Sequence, residues 1–201
     1  MVYLTIKRIL DSLLSLFALI ILSPVFLIIS IIIKADSKGP IFFKQKRVGI
    51  DKKHFYILKF RTMRIDAPKE TPTHLLENSE IYITKPGKFL RKTSLDELPQ
   101  IVNILKGDMA IVGPRPALWN QFDLIAKRDK YGANALRPGI TGLAQISGRD
   151  ELTIEDKAKL DGEYVKKISF IFDATCILLT FTKVIRGDGV EEGRFKGTGI
   201  K

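Results

Sequence analysis

The longest hydrophobic stretch of the chain lies near its N-terminus, where no charged residue occurs from Leu13 to Ile33. As an α-helix the stretch would be about 31 Å long, which just matches a hydrocarbon core of about 30 Å. A cleavable signal peptide, a membrane-spanning anchor and a re-entrant hairpin are the three interpretations of such a stretch. Its length argues against a signal peptide, although residues 35–37 weakly resemble a cleavage site.

Two features favour the hairpin over the spanning anchor. Ser23 and Pro24 lie in the middle of the stretch, where a proline removes one helical hydrogen bond and kinks the chain. Basic residues flank the stretch on both sides: Lys7, Arg8, Lys34 and Lys38. Because positive charge is retained on the cytoplasmic side, both ends prefer the same face of the membrane. The pattern therefore predicts a re-entrant helix-break-helix hairpin over residues 1–36.

The region that follows predicts a short β-hairpin. Residues 41–49 and 54–63 read as two extended segments around a polar turn at 50–53. In the second segment Lys59 and Arg61 alternate with apolar neighbours, which places both cations on one side of the strand.

Helical spacing then dominates the chain. Leu98, Ile101, Val102 and Leu105 fall on one face of a helix that Gly107 would end. Further helices are predicted over 117–131, 155–167 and 170–186, and the last is apolar enough to pack in the core or lie in the membrane interface.

These elements predict a mostly helical α+β fold. The N-terminal hairpin precedes a small cytosolic domain over residues 37–187, which contains the β-hairpin and interfacial amphipathic helices. Residues 66–80 are predicted to form a surface loop, and residues 188–201 a flexible tail.

Composition narrows the class of partner. The chain has 201 residues, 45% of them hydrophobic, which suffices for one compact domain. Its net charge of +11 implies an anionic partner: nucleic acid, anionic lipid or a phosphorylated substrate. The single cysteine, Cys176, excludes an intramolecular disulfide and a cysteine-based zinc cluster. Because Cys176 lies in an apolar run, we expect a buried and inert thiol.

Asp96 and Glu97 are the candidate reactive groups. Ser94 and Glu97 have the spacing of a capping box, whereas Pro99 favours Asp96 itself as the N-cap. In both cases the helix mouth would keep the carboxylates ionised, as a nucleophile or a magnesium ligand requires. A carboxylate that attacks phosphorus forms a mixed anhydride, and the second carboxylate could hold a divalent cation. A simple helix cap would explain the same two residues.

Three arginines lie in rigid segments rather than on helix faces. Arg115 stands between two prolines, Arg137 precedes a proline and Arg149 follows a glycine. A fixed backbone suggests a preformed anion site, because a planar guanidinium binds phosphate oxygens in bidentate fashion. The two histidines, His54 and His74, have no obvious acidic or serine partner, so a histidine-based triad is not predicted.

Four motifs occur in the order of a known family. They are KFRTM at 59–63, SLDELPQ at 94–100, GPRP at 113–116 and RPGITGLAQ at 137–145. Together with the apolar segment broken at Ser23 and Pro24, they resemble the bacterial monotopic phosphoglycosyl transferases, also called bacterial sugar transferases. The resemblance extends from about residue 3 to residue 186, and four motifs in order make it specific.

The resemblance implies an enzyme that moves a sugar 1-phosphate from a UDP-sugar to a polyprenyl (undecaprenyl) phosphate and releases UMP. This reaction is the first membrane step of capsule, exopolysaccharide or other glycan assembly, at the cytoplasmic face of the bacterial inner membrane. Asp96 matches the covalent nucleophile of the family, and Glu97 matches the partner that helps to hold Mg2+, with Asp96 as the other metal ligand. Lys59, Arg91, Arg115 and Arg149 match basic positions near the nucleotide and phosphates.

Taken together, six cations are expected to bind substrate or phosphate: Lys59, Arg61, Arg91, Arg115, Arg137 and Arg149. The expected partners are the UDP-sugar, the polyprenyl phosphate and anionic membrane lipids, and not nucleic acid. Two alternatives have different chemistry: a polybasic membrane adaptor that binds anionic lipid or nucleic acid, and a hydrolase of polyprenyl diphosphates. The sequence does not identify the donor sugar, the glycan pathway or the oligomeric state.

Overall fold

The computed structural model describes residues 2–68, 79–148 and 151–186. Within these ranges the chain forms eight α-helices and four β-strands: α1 (Val2–Ile21), α2 (Ser23–Asp36), β1 (Phe42–Val48), β2 (His54–Phe60), α3 (Lys85–Lys92), α4 (Gln100–Lys106), β3 (Ala110–Val112), α5 (Phe122–Lys130), β4 (Gly139–Thr141), α6 (Leu143–Ser147), α7 (Ile154–Lys167) and α8 (Phe170–Arg186). The predicted mostly helical α+β architecture with a small β-hairpin is confirmed.

The N-terminal hydrophobic stretch is a bent pair of helices. The axes of α1 and α2 meet at 61°, and the break falls at Leu22, directly before Ser23 and Pro24. In the described ranges no single helix has the length and hydrophobicity of a membrane span, whereas the bent pair meets that test when taken together. Apolar side chains on both arms are exposed, among them Phe17 and Leu27. The predicted break is therefore present, and the placement of the hairpin in a membrane stays a prediction.

The basic flank before the hydrophobic stretch is built into the protein. Lys7 is buried, and its Nζ lies 2.8 Å from Oδ2 of Asp173 on α8 and 3.2 Å from Oδ2 of Asp11. The Arg8 guanidinium donates hydrogen bonds to the carbonyls of Ile104 and Leu105. Because these two cations have partners inside the protein, the symmetry of flanking charge supports the hairpin less than the sequence suggested.

The predicted β-hairpin is confirmed. β1 and β2 pair antiparallel, from Phe42 opposite Phe60 to Val48 opposite His54, around a 3-10 turn at Ile50–Lys52. The buried Phe60 ring lies 5.2 Å from the ring of Phe26 on α2. The strand that carries Lys59 therefore packs directly against the second arm of the helical hairpin.

A second, parallel strand pair joins the two glycine- and proline-rich motifs, and the sequence did not predict it. Ala110 of β3 pairs with Gly139 of β4, and the amide of Gly139 donates to the carbonyl of Pro114 at 2.9 Å. A Cβ atom at position 139 would lie 2.2 Å from the backbone nitrogen of Gly113, so this approach requires glycine. The pairing holds the loop that carries Arg115 against the segment that follows Arg137.

The C-terminal helices pack around this centre. The predicted helices at 155–167 and 170–186 are confirmed as α7 and α8, and Cys176 is buried on α8 as expected. The helix predicted over 117–131 begins later, at Phe122. Ala117 and Leu118 pair with the end of β1 instead, because Val48 donates to the Ala117 carbonyl and Leu118 bridges to Arg47.

Candidate active site

Asp96 and Glu97 lie in a 3-10 turn, Leu95–Glu97, two residues before α4. The predicted caps are wrong: α4 begins at Gln100, and neither Ser94 nor Asp96 accepts a capping hydrogen bond through its side chain there. Ser94 has a φ of 56°, so the backbone turns sharply before the two acids. Pro99, which has no N–H, then separates the turn from the helix.

The carboxylates are held among cations. Nζ of Lys59 lies 2.7 Å from Oε1 of Glu97 and 3.5 Å from Oδ2 of Asp96. Arg115 approaches the same Glu97 oxygen at 3.1 Å. Asp96 and Glu97 are only 7% and 9% exposed, so these contacts operate in a largely desolvated site.

Burial raises the pKa of the Asp96 carboxyl above its ordinary value. The charge of Lys59 lowers it, that of Glu97 raises it, and those of Arg91 and Arg115 lower it. The expectation that the helix mouth keeps Asp96 ionised is therefore corrected. Charge on Asp96 is opposed by desolvation and supported by three neighbouring cations.

Asp96 opens into a cavity of about 480 Å³. One part of its wall is cationic and includes Lys59, Arg64 and Arg91. Another part of the wall is apolar and is formed by Pro40, Phe42, Phe43, Phe60, Ile65 and Ala67. A cavity of this size and mixed lining suits an amphiphilic ligand whose anionic group meets the carboxylate dyad.

Arg91 is placed as predicted, beside the dyad. It lines the cavity from α3, and its Nε donates to Oγ1 of Thr62 at 2.9 Å. A contact of 3.4 Å joins its guanidinium to Sδ of Met63. Arg91 therefore ties the KFRTM motif to α3, the helix that precedes the turn of Asp96.

Arg61 lines the cavity and is also bound to the end of α2. Its guanidinium donates to the carbonyls of Ile33, Ser37 and Lys38 at the C-terminal end of α2. Lys59 and Arg61 both line the cavity, and the Arg61 amide continues the strand pairing by donating to the Ile41 carbonyl at 2.9 Å. The Arg61 guanidinium is thus held at the end of α2, and its role in binding substrate stays a prediction.

Arg137 lines a different cavity from Asp96. Its Nε donates to the Gly107 carbonyl at 3.0 Å, and it lines a separate small cavity of about 50 Å³ with Lys7, Arg8 and Tyr164. The Arg137 side chain thus binds the end of α4, whereas Arg115 contacts Glu97, and the role of Arg137 in binding phosphate stays a prediction. Arg149, His74, most of the predicted loop at 66–80 and the predicted tail at 188–201 lie outside the described residues.

Arg47 is a site residue that the sequence did not single out. It lines the cavity, and burial together with the charge of Arg115 lowers its pKa to about 9, against the opposite effect of Glu97. One terminal nitrogen donates to the Pro116 carbonyl at 3.0 Å. The alternation of side chains along a strand could have identified Arg47. It lies on the same face of β1 as Phe43, and Phe43 pairs with Lys59.

A preformed metal cage is absent from the described part of the chain, where no three His, Cys, Asp or Glu side chains cluster. Mg2+ commonly binds through one or two carboxylates together with substrate phosphates, and keeps several waters. The adjacent carboxylates of Asp96 and Glu97 fit that requirement as part of a site that substrate would complete.

Comparison with known proteins identifies the class of this fold and site. A model of the bacterial sugar transferase family matches residues 2–187. The chain therefore belongs to the bacterial sugar transferase family, as its motifs indicated.

Individual relatives share this region. The sugar transferase EpsL of Bacillus subtilis, described as uncharacterized, is 38% identical over 200 residues, which cover 96% of this chain and 97% of EpsL. The galactosyl transferase CpsE of Streptococcus agalactiae is 40% identical, over 94% of this chain and 44% of CpsE. The UDP-glucose:undecaprenyl-phosphate glucose-1-phosphate transferase of Escherichia coli is 38% identical, over 89% of this chain and 40% of that protein. The chain thus spans nearly all of EpsL and less than half of the other two.

Proposed function

We propose that this protein transfers a sugar 1-phosphate from a UDP-sugar to a polyprenyl phosphate, releases UMP, and does so through a covalent phosphosugar-Asp96 intermediate. The observation that carries the proposal is the buried Asp96 carboxylate at the wall of the cavity, 3.5 Å from Lys59 and flanked by the charges of Arg91 and Arg115. Relatives named for the transfer of glucose 1-phosphate to undecaprenyl phosphate support the choice of donor and acceptor.

In the first step an Asp96 carboxylate oxygen attacks the phosphorus that carries the sugar. The new O–P bond forms while the bond from that phosphorus to the bridging oxygen breaks, and UMP leaves with the electron pair. No proton needs to be supplied, because UMP departs as a phosphate anion. Lys59 and Arg115, which converge on the dyad, stabilise the negative charge that develops on the phosphoryl oxygens.

In the second step an oxygen of the polyprenyl phosphate attacks the same phosphorus. The acyl phosphate bond breaks, the Asp96 carboxylate is regenerated, and a polyprenyl diphosphate sugar is formed. The apolar wall at Phe42 and Phe43 suits the first carbons of a lipid chain beside the cationic wall that suits its phosphate.

We infer that Asp96 and Glu97 hold Mg2+ when substrate is present. Bound there, the ion would neutralise part of the diphosphate charge. Two side chains hold the carboxylates in place. Lys59 contacts both of them, and Arg115 orients Glu97 through its 3.1 Å contact.

We place the site at the cytoplasmic face of the bacterial inner membrane, with the α1–α2 hairpin in the cytoplasmic leaflet. Exposed apolar side chains on both arms and a net charge of +11 support this placement. Each basic residue near an anionic membrane surface contributes about 1 kcal/mol of attraction.

The experiment that tests the function measures UMP release by the purified full-length protein with undecaprenyl phosphate, Mg2+ and a panel of UDP-sugars. A transferase leaves the sugar phosphate on the lipid, whereas a hydrolase of polyprenyl diphosphates uses water as the acceptor and attaches no sugar phosphate to the lipid. A polybasic adaptor would bind anionic vesicles in a salt-sensitive manner and release no UMP from any donor. Absence of UMP release across the panel, with and without Mg2+, would overturn the proposal.

A further inference from the structure

Arg8 connects the first arm of the hairpin to the helix that follows the catalytic dyad. From α1, its guanidinium donates to the Ile104 carbonyl and, at 3.0 Å, to the Leu105 carbonyl. Both belong to the last turn of α4, at the negative end of the helix dipole, where the Ile104 carbonyl also accepts from the Gly107 amide. The Arg8 guanidinium on α1 thus caps the C-terminal end of α4.

The backbone at this helix end leaves room for the guanidinium. Gly107 ends α4 with a φ of 93°, and a Cβ atom at this position would lie 3.3 Å from a terminal nitrogen of Arg8. A side chain at position 107 would therefore crowd the contact as well as strain the backbone.

α4 is short and is joined both to the turn that carries the dyad and to the strand that carries Lys59. Leu98 and Pro99 separate its first residue, Gln100, from the dyad, and its length is about 10 Å at about 1.5 Å per residue. Asn103 on the same helix accepts from the Leu58 amide at 2.9 Å and donates to the Tyr56 carbonyl at 2.8 Å. These bonds fix α4 to β2, the strand that presents Lys59.

We propose that Arg8 is a positioning residue that fixes the placement of α4, and with it the Asp96–Glu97 turn, relative to α1, the first arm of the hairpin. The inference rests on the proposed function, since it assigns a role in the same reaction. The second arm is secured independently, because Arg61 binds the end of α2. The position of the α1–α2 hairpin therefore affects the placement of Asp96 and Glu97.

General anchoring of α1 is the competing explanation, and Tyr3 provides a matched control. Tyr3 lies on the same arm and donates to Oδ2 of Asp173 at 2.7 Å, which ties α1 to α8 and not to α4. A Tyr3→Phe variant removes one tether of the arm without touching the helix behind the dyad.

The test compares Arg8→Met, Arg8→Lys and Tyr3→Phe with the wild-type full-length protein in the same lipid nanodiscs. UMP release is measured per mole of protein that binds UDP-sugar, so that loss of folded protein does not enter kcat. We expect Arg8→Met to lower kcat by about 10- to 100-fold, as small misplacements of reacting groups do, with KM for the donor little changed. Arg8→Lys, which keeps the cation, should restore part of the loss, and Tyr3→Phe should retain the wild-type kcat.

Wild-type kcat in Arg8→Met, or an equal fall in Tyr3→Phe, would overturn the positioning role. If Arg8→Met does not fold, Arg8→Gln, which retains one donor group, is expected to show the same kcat-selective fall. Hydrogen exchange provides a readout that is independent of activity: amides of α4 should exchange faster in Arg8→Met than in Tyr3→Phe. If the wild type releases no UMP, the proposed function fails, and the exchange of α4 alone decides whether Arg8 positions that helix.

Discussion

The ammonium nitrogen of Lys59 lies 2.7 Å from Oε1 of Glu97, so a β-strand and a 3-10 turn that are distant in sequence meet at one wall of the cavity. The same nitrogen is 3.5 Å from Oδ2 of Asp96. One cation therefore serves both members of the dyad. Without it, two adjacent and largely buried acids would repel each other with less compensation.

Replacement of Lys59 by methionine is expected to lower kcat for UMP release by about 10²- to 10³-fold, the usual effect of removing one preorganised charge. Because Lys59 lowers the pKa of Asp96, its loss should raise that pKa. Activity depends on the ionised nucleophile, so the acidic limb of the pH–rate profile should move to higher pH. The measurement is kcat as a function of pH for both proteins.

The control for this prediction is Lys53→Met, which removes an exposed lysine from the turn of the same β-hairpin. It should leave both kcat and the acidic limb unchanged. An unshifted acidic limb in Lys59→Met would contradict the electrostatic role of Lys59.

Asp96→Asn is expected to abolish UMP release and yet preserve or increase stability. Burial raises the folded-state pKa of Asp96 above 3.8. A raised carboxyl pKa means that this group favours folding most when protonated, and that its contribution declines as pH rises from 3.8 through the folded value. At pH 7 in EDTA, Tm of the variant should equal or exceed that of the wild type, and the difference should vanish below pH 3.8. A clearly lower Tm at pH 7 would show that the ionised Asp96 stabilises the fold.

The buried ion pair between Arg128 and Asp161 is expected to matter for stability alone. Arg128 NH2 lies 2.6 Å from Oδ2 of Asp161, and the two side chains are 6% and 1% exposed. Arg128→Met should lower the free energy of unfolding by about 3–5 kcal/mol, because it leaves a buried carboxylate unpaired. Lys52→Met, which breaks an exposed pair with Asp129, should change unfolding in urea very little. Equal effects of the two substitutions would contradict this assignment.

The hairpin predicts that both ends of the α1–α2 segment lie on one side of the membrane. Cys176 is the single cysteine and is buried, so its replacement by alanine gives a background for introduced thiols. Val2→Cys and Lys38→Cys, placed at exposed positions, should both react with an impermeant thiol reagent in inside-out vesicles and not in intact cells. Labelling of the two positions from opposite sides would establish a spanning helix instead.

Local sequence patterns predicted the helices and strands well, because the spacing of hydrophobic residues reflects which face of a helix or strand is buried. The break before Ser23, the end of α4 at Gly107 and the β-hairpin around Ile50–Lys52 all follow from such patterns. The dyad was found through its motif, and Lys59, Arg91 and Arg115 do meet there.

The sequence indicated less about the partners of long side chains. Arg61 and Arg137 lie in the predicted motifs, but their guanidinium groups bind backbone carbonyls of Ser37 and Gly107, which no local pattern reveals. The buried position of Lys7 depends on Asp173, which lies far away in sequence. The helix cap failed for a local reason: Pro99 delays the start of α4, so Asp96 occupies a separate turn.

The most direct test of the central claim is to find the sugar phosphate on Asp96. The wild-type protein would be mixed with a UDP-sugar that supports turnover and Mg2+ but no lipid acceptor, quenched in acid, digested and examined by mass spectrometry. We predict a phosphosugar adduct on the peptide that contains Asp96, formed in step with UMP and lost when undecaprenyl phosphate is added before the quench. Stoichiometric UMP release with no adduct, or an adduct on a different residue, would contradict the assignment of Asp96 as the nucleophile.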